Sequence, residues 1–210
     1  MNARFASAAA VFLDRDGTLI VDKSYLSKPE EVEFIPGTME GLKKLVSAGF
    51  RLVMVTNQSG VGRGYFTLAD VEKVHARMAV ELKSMGVLLE AVYVAPEAPD
   101  QPSCGRKPSP QFLFDARDGL GLDLDRCYVV GDKWLDLETG WNAGTRRSLL
   151  VRTGHGRQVE AENRGNMRGA VVVDDMGAAA EWILRDAKNG VKNEVKTGSS
   201  ETIGSCAPKA

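Results

Sequence analysis

Two aspartates spaced two residues apart offer the clearest chemistry in this chain. Asp14 and Asp16 follow the apolar run 11–13 and precede Gly17 and Thr18. Because residues i and i+2 of an extended chain point to the same side, both carboxylates are expected to face one site at a strand end. One carboxylate can then act as nucleophile while the other exchanges protons, and both can bind a hard cation. A solvated Asp-Gly turn is the alternative interpretation.

Three later polar groups bear on that choice, namely Thr56, Lys107 and Asp132. Each has an ordinary interpretation, as a strand-end residue, a solvated loop lysine and a helix N-cap. Beside two acids, however, the Thr56 hydroxyl and the backbone amides of residues 57 and 58 could donate to phosphate oxygens. Lys107 could neutralise a phosphoryl group, and Asp132 could join Asp14 in holding Mg²⁺.

The elements that must position these groups alternate along the chain. Apolar runs at 11–13, 51–55, 88–94, 127–130, 149–151 and 171–173 predict buried strands. Amphipathic helices are predicted after residue 36, over 67–85 with a Thr67–Asp70 capping box, after residue 110, over 134–143 and over 176–187. This alternation predicts an α/β fold with a doubly wound, Rossmann-like parallel sheet, in which ligands bind at the carboxyl ends of the strands.

Composition limits the classes of partner. The 210 residues are 43% hydrophobic and carry 27 basic and 28 acidic residues, which suits one globular domain and argues against nucleic acid or a membrane surface as partner. Three cysteines without a Cys-x-x-Cys pair favour a reducing compartment, and no apolar run reaches the roughly 18 residues of a membrane span. We therefore expect a cytoplasmic monomer with one domain over 9–187 and a disordered polar tail over 188–210.

The order of the motifs carries a family resemblance. The set Asp-x-Asp-Gly-Thr, Thr-Asn-Gln, Arg-Lys-Pro and Gly-Asp-Lys resembles the haloacid dehalogenase (HAD) superfamily of aspartate-nucleophile phosphatases over about residues 9–187. The strings at 12–18, 55–60, 106–108 and 151–154 resemble the branch that contains heptose bisphosphate and histidinol phosphate phosphatases. The Arg-Thr-Gly turn at 152–154 favours the heptose group within that branch.

The resemblance implies a role for each matching residue. Asp14 would be the nucleophile and Asp16 the general acid and base, while Thr56 and Lys107 would stabilise the phosphoryl group. Mg²⁺ would be held by Asp14, Asp16 and Asp132. The residues expected to bind substrate are Asp22, Lys23, Ser24, Tyr25, Asn57, Gln58, Ser59, Arg106 and Lys133.

The implied reaction is Mg²⁺-dependent removal of the 7-phosphate from D-glycero-D-manno-heptose 1,7-bisphosphate through an aspartyl-phosphate. Histidinol phosphate or another small sugar phosphate is the alternative substrate. A polynucleotide 3'-phosphate is disfavoured because the chain has no basic stripe. A non-catalytic module that binds a phosphorylated ligand is an alternative of a different class.

Two further expectations concern access to the site. The spacings from Asp16 to Thr56 and from Thr56 to Lys107 leave no room for a separate cap domain, so the flap 22–25 and the proline-rich loop before Arg106 should close over the substrate. Relatives in this branch hold a structural zinc through Cys-x-His and Cys-x-Cys pairs, but the matching positions here are 95–97 and 103–105, which read Ala-Pro-Glu and Ser-Cys-Gly. Zinc is therefore predicted to be absent, and proline restriction is predicted to order the loop.

Overall fold

Six parallel strands form the centre of the fold. The computed structural model describes residues 8–197, and its strands lie in the spatial order β3-β2-β1-β4-β5-β6, with every neighbouring pair parallel. Their bounds are β1 (Ala10–Leu13), β2 (Arg51–Asn57), β3 (Ala91–Ala95), β4 (Tyr128–Gly131), β5 (Arg147–Val151) and β6 (Val171–Val173). The predicted doubly wound parallel sheet is confirmed.

Helices connect the strands and cover both faces of the sheet. They are α1 (Thr38–Ser47), α2 (Ser59–Gly62), α3 (Leu68–Ser84), α4 (Gln111–Leu120), α5 (Trp134–Ala143), α6 (Gly156–Glu162) and α7 (Met176–Thr197). The short helices α2 and α6 were not predicted, because one or two turns give too short an apolar period to recognise. Helix α7 continues past its predicted end at residue 187. The disorder expected of the tail stays a prediction, and residues 198–210 lie outside the described part of the chain.

Strand β1 is buried along its whole length and fixes the position of the residues that follow it. Its side chains alternate between two apolar clusters, with Val11 and Leu13 on one face and Ala10 and Phe12 on the other. Helices α1, α3 and α7 contribute to the first cluster, and α4 and α5 to the second. The end of β1 therefore has little freedom to move.

Helix α3 begins at the predicted capping box. The Thr67 hydroxyl accepts a hydrogen bond from the Asp70 amide at 3.2 Å, and the Asp70 carboxylate accepts one from the Thr67 amide at 3.1 Å. These bonds satisfy two of the amide donors that the first helical turn leaves free. The cap sets where α3 starts on the sheet.

The order in which strands are added to the sheet reverses between β1 and β4. These two strands lie side by side although β2 and β3 separate them in sequence. Ligands of doubly wound sheets bind at such a switch point. The connection from β1 to α1, residues 14–37, is described throughout and holds one 3-10 helix, Pro29–Glu31, and isolated bridges rather than a further domain. Loops rather than a separate cap domain therefore surround the opening of the site, as expected.

None of the helices in the described part of the chain combines the length and apolarity needed to cross a membrane.

Candidate active site

Asp14 and Lys107 form a buried ion pair at the end of β1. The Lys107 ammonium donates to Asp14 Oδ1 at 2.5 Å and to the Val55 carbonyl at 2.9 Å, and it also lies 2.6 Å from Asp136 Oδ1. The side chains of Asp14 and Lys107 are 7% and 6% exposed. Lys107 therefore neutralises two carboxylates that have almost no access to solvent.

The pKa values of this cluster follow from burial and charge. Burial opposes ionisation of Asp14, but the charges of Lys107 and Lys133 outweigh it and lower the Asp14 pKa below its ordinary value. Burial, followed by the charge of Asp14, raises the pKa of Asp132 to about 8. Asp136 has a raised pKa, mainly because it is buried. Without a cation, Asp132 is therefore held mainly in its neutral form at pH 7, and a bound cation would favour its ionised form.

One carboxylate oxygen from each of Asp14, Asp132 and Asp136 lies within 4.8 Å of the other two. Asp132 Oδ2 accepts from the His155 amide at 2.9 Å, whereas Asp132 Oδ1 is buried and finds no hydrogen-bond donor among the described residues 8–197. Such an oxygen is free to bind a metal ion. The buried carboxylates therefore fit Mg²⁺, a hard cation that prefers oxygen ligands.

The ammonium of Lys133 lies among oxygens of Asp132, Asp16 and Asp22. It is 3.5 Å from Asp132 Oδ1, 3.4 Å from the Asp16 carbonyl oxygen and 3.4 Å from Asp22 Oδ2. Oxygens of the backbone and of carboxylates thus surround a positive charge in the structure itself. This arrangement is a second sign that the pocket is built for a cation.

Gly17 lets the Asp14–Thr18 turn approach Asp132. Its φ is +85°, and a Cβ atom there would lie 2.2 Å from Asp132 Oδ2. Any other residue would clash with this carboxylate and would also be strained at that φ. The glycine of the motif is therefore required by the geometry of the site.

Asp16 does not direct its carboxylate at the three clustered aspartates. Its two oxygens accept hydrogen bonds from Arg15 at 3.0 and 3.1 Å, and Oδ2 also accepts from Gln58 Nε2 at 2.9 Å. The Asp16 side chain still lines the open cavity. The carbonyl oxygen of Asp16, by contrast, lies 3.4 Å from the Lys133 ammonium.

The Thr56–Gln58 turn holds other site residues in place. Thr56 is buried, and its hydroxyl accepts from Gln58 Nε2 at 2.8 Å. The Asn57 side chain accepts from the Lys107 amide at 3.0 Å and donates to the Lys107 carbonyl at 3.3 Å, so it clamps the backbone of that lysine. The backbone amide of Gln58 donates to the Ala95 carbonyl at 2.7 Å. The expectation that this amide is free for phosphate is therefore wrong, since it continues the sheet.

A cavity of about 320 Å³ opens in front of Asp14. Of the residues predicted to bind substrate, those that line it are Asp22, Ser24, Tyr25, Asn57, Gln58, Ser59, Arg106 and Lys133. Lys23 instead pairs with Glu33 at 3.0 Å. Ser24 and Tyr25 have φ values of 49° and 67°, a left-handed flap conformation in which the Ser24 amide donates to Asp22.

Hydrogen bonds order the loop before Arg106. Ser103 Oγ donates to the Glu97 carboxylate at 2.8 Å and accepts from the Arg106 amide at 3.1 Å, and Arg106 Nη1 donates to the Glu97 carbonyl at 2.9 Å. Glu97 and Ser103, at two of the positions where the resemblance would place zinc ligands, are hydrogen-bonded to each other here. The absence of zinc stays a prediction.

Asp136 is the site residue that the sequence analysis missed. It stands at the third position of α5, where its carboxylate accepts from the Lys133 amide at 2.9 Å. The signal was an acidic residue in the first turn of the helix that follows Gly-Asp-Lys. The sequence analysis gave it no role, and the structure shows that its second oxygen faces Lys107.

Comparisons with known proteins agree with this geometry. A model of the HAD-hydrolase-like family matches residues 104–179, and a model described as polynucleotide kinase 3 phosphatase matches residues 9–134. The D-glycero-beta-D-manno-heptose-1,7-bisphosphate 7-phosphatase of Escherichia coli (strain K12) is 37% identical over 200 residues, which cover 90% of this chain and 97% of the relative. The chain belongs to the HAD superfamily of hydrolases.

Further HAD relatives extend the likeness. The enzyme of the same name from Helicobacter pylori (strain ATCC 700392 / 26695) is 38% identical over 68% of this chain and 83% of its own length. The solved D,D-heptose 1,7-bisphosphate phosphatase of B. bronchiseptica, complexed with magnesium and phosphate, matches with a TM-score of 0.78 at 33% identity, covering 85% of this chain and 99% of that one. The predicted HAD membership and fold are confirmed, and Mg²⁺ fits both the family and the aspartate cluster.

Proposed function

We propose that this protein removes the 7-phosphate of D-glycero-D-manno-heptose 1,7-bisphosphate, using Mg²⁺ and an aspartyl-phosphate on Asp14. The observation that carries the substrate is the 37% identity to a heptose bisphosphatase across 97% of that relative's length. The chemistry is supported by the buried Asp14–Lys107 pair beside Asp132 and Asp136.

In the first step, the Asp14 carboxylate attacks phosphorus while the bond between phosphorus and the sugar oxygen breaks. The lowered pKa of Asp14 keeps this group ionised, as a nucleophile requires. Asp16, at the mouth of the cavity, gives its proton to the leaving oxygen. Lys107, and the Thr56–Gln58 turn that clamps it, would stabilise the charge on the phosphoryl group.

In the second step, Asp16 accepts a proton from water, the water oxygen attacks phosphorus, and the bond to Asp14 breaks to release inorganic phosphate. Asp14 and Asp132 would hold Mg²⁺, with Asp136 close to both and the Asp16 carbonyl oxygen facing the same region. When bound, the ion supplies positive charge that offsets the negative charge of the transferring phosphoryl group. Asp16 would contribute roughly 10² to 10⁴ in rate as acid and base.

The remainder of the substrate would contact the flap and the loop residues. Asp22, Ser24 and Tyr25 on one side and Ser59 and Arg106 on the other line the cavity. Arg106 is suited to a second phosphate because one edge of its guanidinium is anchored on Glu97 and other donors remain for the cavity. Lys23, which pairs with Glu33, would contact the substrate once the flap closes.

Histidinol phosphate and a polynucleotide 3'-phosphate are the rival substrates, the second because the polynucleotide kinase 3 phosphatase model matches residues 9–134. The near-neutral chain, with 27 basic and 28 acidic residues, does not favour a polyanion. A non-catalytic role is disfavoured because Asp14, Asp16, Lys107 and Asp132 are all present.

A phosphate-release assay tests the proposal. Heptose 1,7-bisphosphate, fructose 1,6-bisphosphate, histidinol phosphate and a 3'-phosphorylated oligonucleotide are compared by kcat/KM in the presence of Mg²⁺. The heptose substrate should exceed each of the others by at least about tenfold, a difference of 1.4 kcal/mol in transition-state binding. A higher kcat/KM for histidinol phosphate or the oligonucleotide would contradict the proposed substrate.

We also propose that the protein is a cytoplasmic monomer and that it binds neither nucleic acid nor membranes. Cys104 and Cys127 are free thiols in the structure, which suits a reducing compartment. Gel filtration of the full chain should give the mass of one 22.7 kDa polypeptide.

A further inference from the structure

Arg15, the residue between the two motif aspartates, is fully buried and is committed to hydrogen bonds. Its guanidinium donates to Asp16 Oδ2 from Nε at 3.0 Å, to Asp16 Oδ1 from Nη2 at 3.1 Å and to Gln58 Oε1 from Nη2 at 3.0 Å. The fork therefore holds both carboxylate oxygens of Asp16 in a plane. A bidentate pair of this kind fixes orientation as well as distance.

The remaining end of this guanidinium is held by His75, which lies on α3. Arg15 Nη1 is 3.1 Å from His75 Nε2. Because arginine carries donors only, Nε2 must be the acceptor, which requires a neutral imidazole with its proton on Nδ1. His75 is thus a neutral acceptor that supports the far side of Arg15, opposite Asp16.

We propose that His75, acting through Arg15, is a positioning residue for the Asp16 carboxylate. This inference rests on the proposed function, in which Asp16 protonates the leaving sugar oxygen. A displacement of about 1 Å in a reacting group can lower the rate about 100-fold. A residue that contacts Asp16 only through Arg15 can therefore have a measurable effect on the rate. Without His75, Nη1 of Arg15 loses its acceptor on α3. The guanidinium can then tilt, and the Asp16 carboxylate bound to it can tilt with it.

The nature of the leaving group separates this role from a purely structural one. A sugar hydroxyl is a poor leaving group and needs the proton from Asp16, whereas p-nitrophenolate leaves readily without protonation. A misplaced Asp16 should therefore slow the first step, and with it kcat/KM, much more for a sugar phosphate than for p-nitrophenyl phosphate, whereas hydrolysis of the aspartyl-phosphate is the same for both substrates. Loss of stability alone would lower both activities together.

The test measures kcat and KM for heptose 1,7-bisphosphate and p-nitrophenyl phosphate, with Mg²⁺, in wild-type protein and three variants. His75→Leu removes the acceptor, His75→Gln restores one through its amide oxygen, and Thr67→Ala weakens the cap of the same helix without contacting Arg15. We expect H75L to lose about tenfold in kcat/KM on the heptose substrate and at most about threefold in kcat/KM on p-nitrophenyl phosphate, because kcat/KM reports the first step. H75Q should recover most of the loss, and T67A should lower Tm while leaving both activities unchanged.

Equal losses on both substrates, no loss in H75L, or no recovery in H75Q would overturn the positioning role. If H75L does not fold, His75→Ala is used in the same comparison, since alanine favours the helix and adds no contact. Wild-type turnover of the heptose substrate tests the proposed function, whereas the ratio of variant to wild type tests the inference. An inactive wild-type enzyme would overturn both.

Nitrogen-15 NMR gives a readout that does not depend on turnover. The chain has two histidines, so the H75Q spectrum assigns the His75 signals by difference. The expected signature at pH 6 is a neutral ring with its proton on Nδ1. A protonated ring, or a proton on Nε2, would contradict the hydrogen bond to Arg15.

Discussion

Lys107 is the residue on which the electrostatics of the site depend. It touches Asp14, Asp136 and the Val55 carbonyl, and among residues 8–197 no other side chain of positive charge forms an ion pair with either carboxylate. Burial lowers the pKa of this lysine, but the charges of Asp136 and Asp14 outweigh burial and raise the pKa above its ordinary value. Lys107 is therefore charged throughout the physiological range.

We expect Lys107→Met to destabilise the metal-free protein. Removing one partner leaves buried carboxylates uncompensated, which typically costs about 3–5 kcal/mol in the free energy of unfolding. Mg²⁺ should restore part of this loss, because it supplies positive charge to the folded state alone. Urea denaturation in EDTA and in excess Mg²⁺ measures both effects.

Lys44→Met is the matched control. Lys44 pairs with Glu181 at 2.8 Å on the exposed surface, where an ion pair contributes at most about 1 kcal/mol. If K107M were as stable as K44M in EDTA, the role of Lys107 as the neutralising charge would be wrong.

His75 should make stability depend on pH. Burial and then the charge of Arg15 lower its pKa from 6.5 to about 4. Between these values the unfolded state binds the proton and the folded state does not, so stability rises with pH across this window. At 1.36 kcal/mol per pKa unit, acidification from pH 7 to below pH 4 should remove at most about 3 kcal/mol through this residue.

The measurement is the free energy of unfolding of wild type and H75Q at several pH values from 7 to 4. Other groups titrate equally in both proteins, so the difference isolates His75. Stability of wild type should fall more steeply than that of H75Q as pH decreases from 6.5. Parallel curves would show that His75 is not held neutral.

At the scale of elements, α1 packs unusually close to the start of α7. A Cβ atom at Gly41 would lie 2.7 Å from the Met176 carbonyl oxygen and 3.2 Å from the Gly177 Cα. Both neighbours are backbone atoms, so they cannot turn aside as a flexible side chain could. The glycine in the middle of α1 is therefore explained by packing rather than by helix propensity.

Gly41→Ala should lower the free energy of unfolding by about 1–3 kcal/mol through overpacking. Gly119→Ala in α4 is the matched control, since apart from its chain neighbours and the backbone of its own helix no described heavy atom lies within 4 Å of the added methyl group. There the substitution should be neutral or should stabilise by up to about 1 kcal/mol. Thermal unfolding of both variants measures the contrast, and equal effects would disprove the proposed contact between the helices.

Elements with a strong apolar period were predictable, and short or polar ones were not. The run after residue 51 and the capping box at Thr67 correspond to β2 and α3 in the structure. Helices α2 and α6 have too few turns to show a period. The limits of α7 could not be predicted either, because its second half has the polar composition typical of a tail.

At the scale of the whole molecule, the parallel sheet explains why the site could be predicted at all. Asp14 and Asp132 are far apart in sequence, but β1 and β4 are neighbours and their carboxyl ends meet at one edge. Residues that leave strand ends are thereby brought together by topology alone. Their identities and order were therefore enough to indicate a phosphatase.

Side-chain orientation could not be predicted in the same way. The two motif aspartates line one cavity, but within it Asp14 joins Asp132 and Asp136 while the Asp16 carboxylate accepts from Arg15 and Gln58. That difference depends on a buried arginine whose partners lie in the turn after β1, in the turn after β2 and on α3. Contacts between distant elements of this kind leave no local pattern in the sequence.

Phosphorus-31 NMR of heptose 1,7-bisphosphate during turnover tests the central claim most directly, because it resolves the two phosphates. With wild-type protein and Mg²⁺, the signal of the 7-phosphate should disappear as inorganic phosphate appears, while the anomeric phosphate remains. Asp14→Asn should slow this change by at least about 10⁴-fold, as expected when a nucleophile is removed, without loss of the folded state. Release of the anomeric phosphate first, or substantial turnover by D14N, would contradict the account.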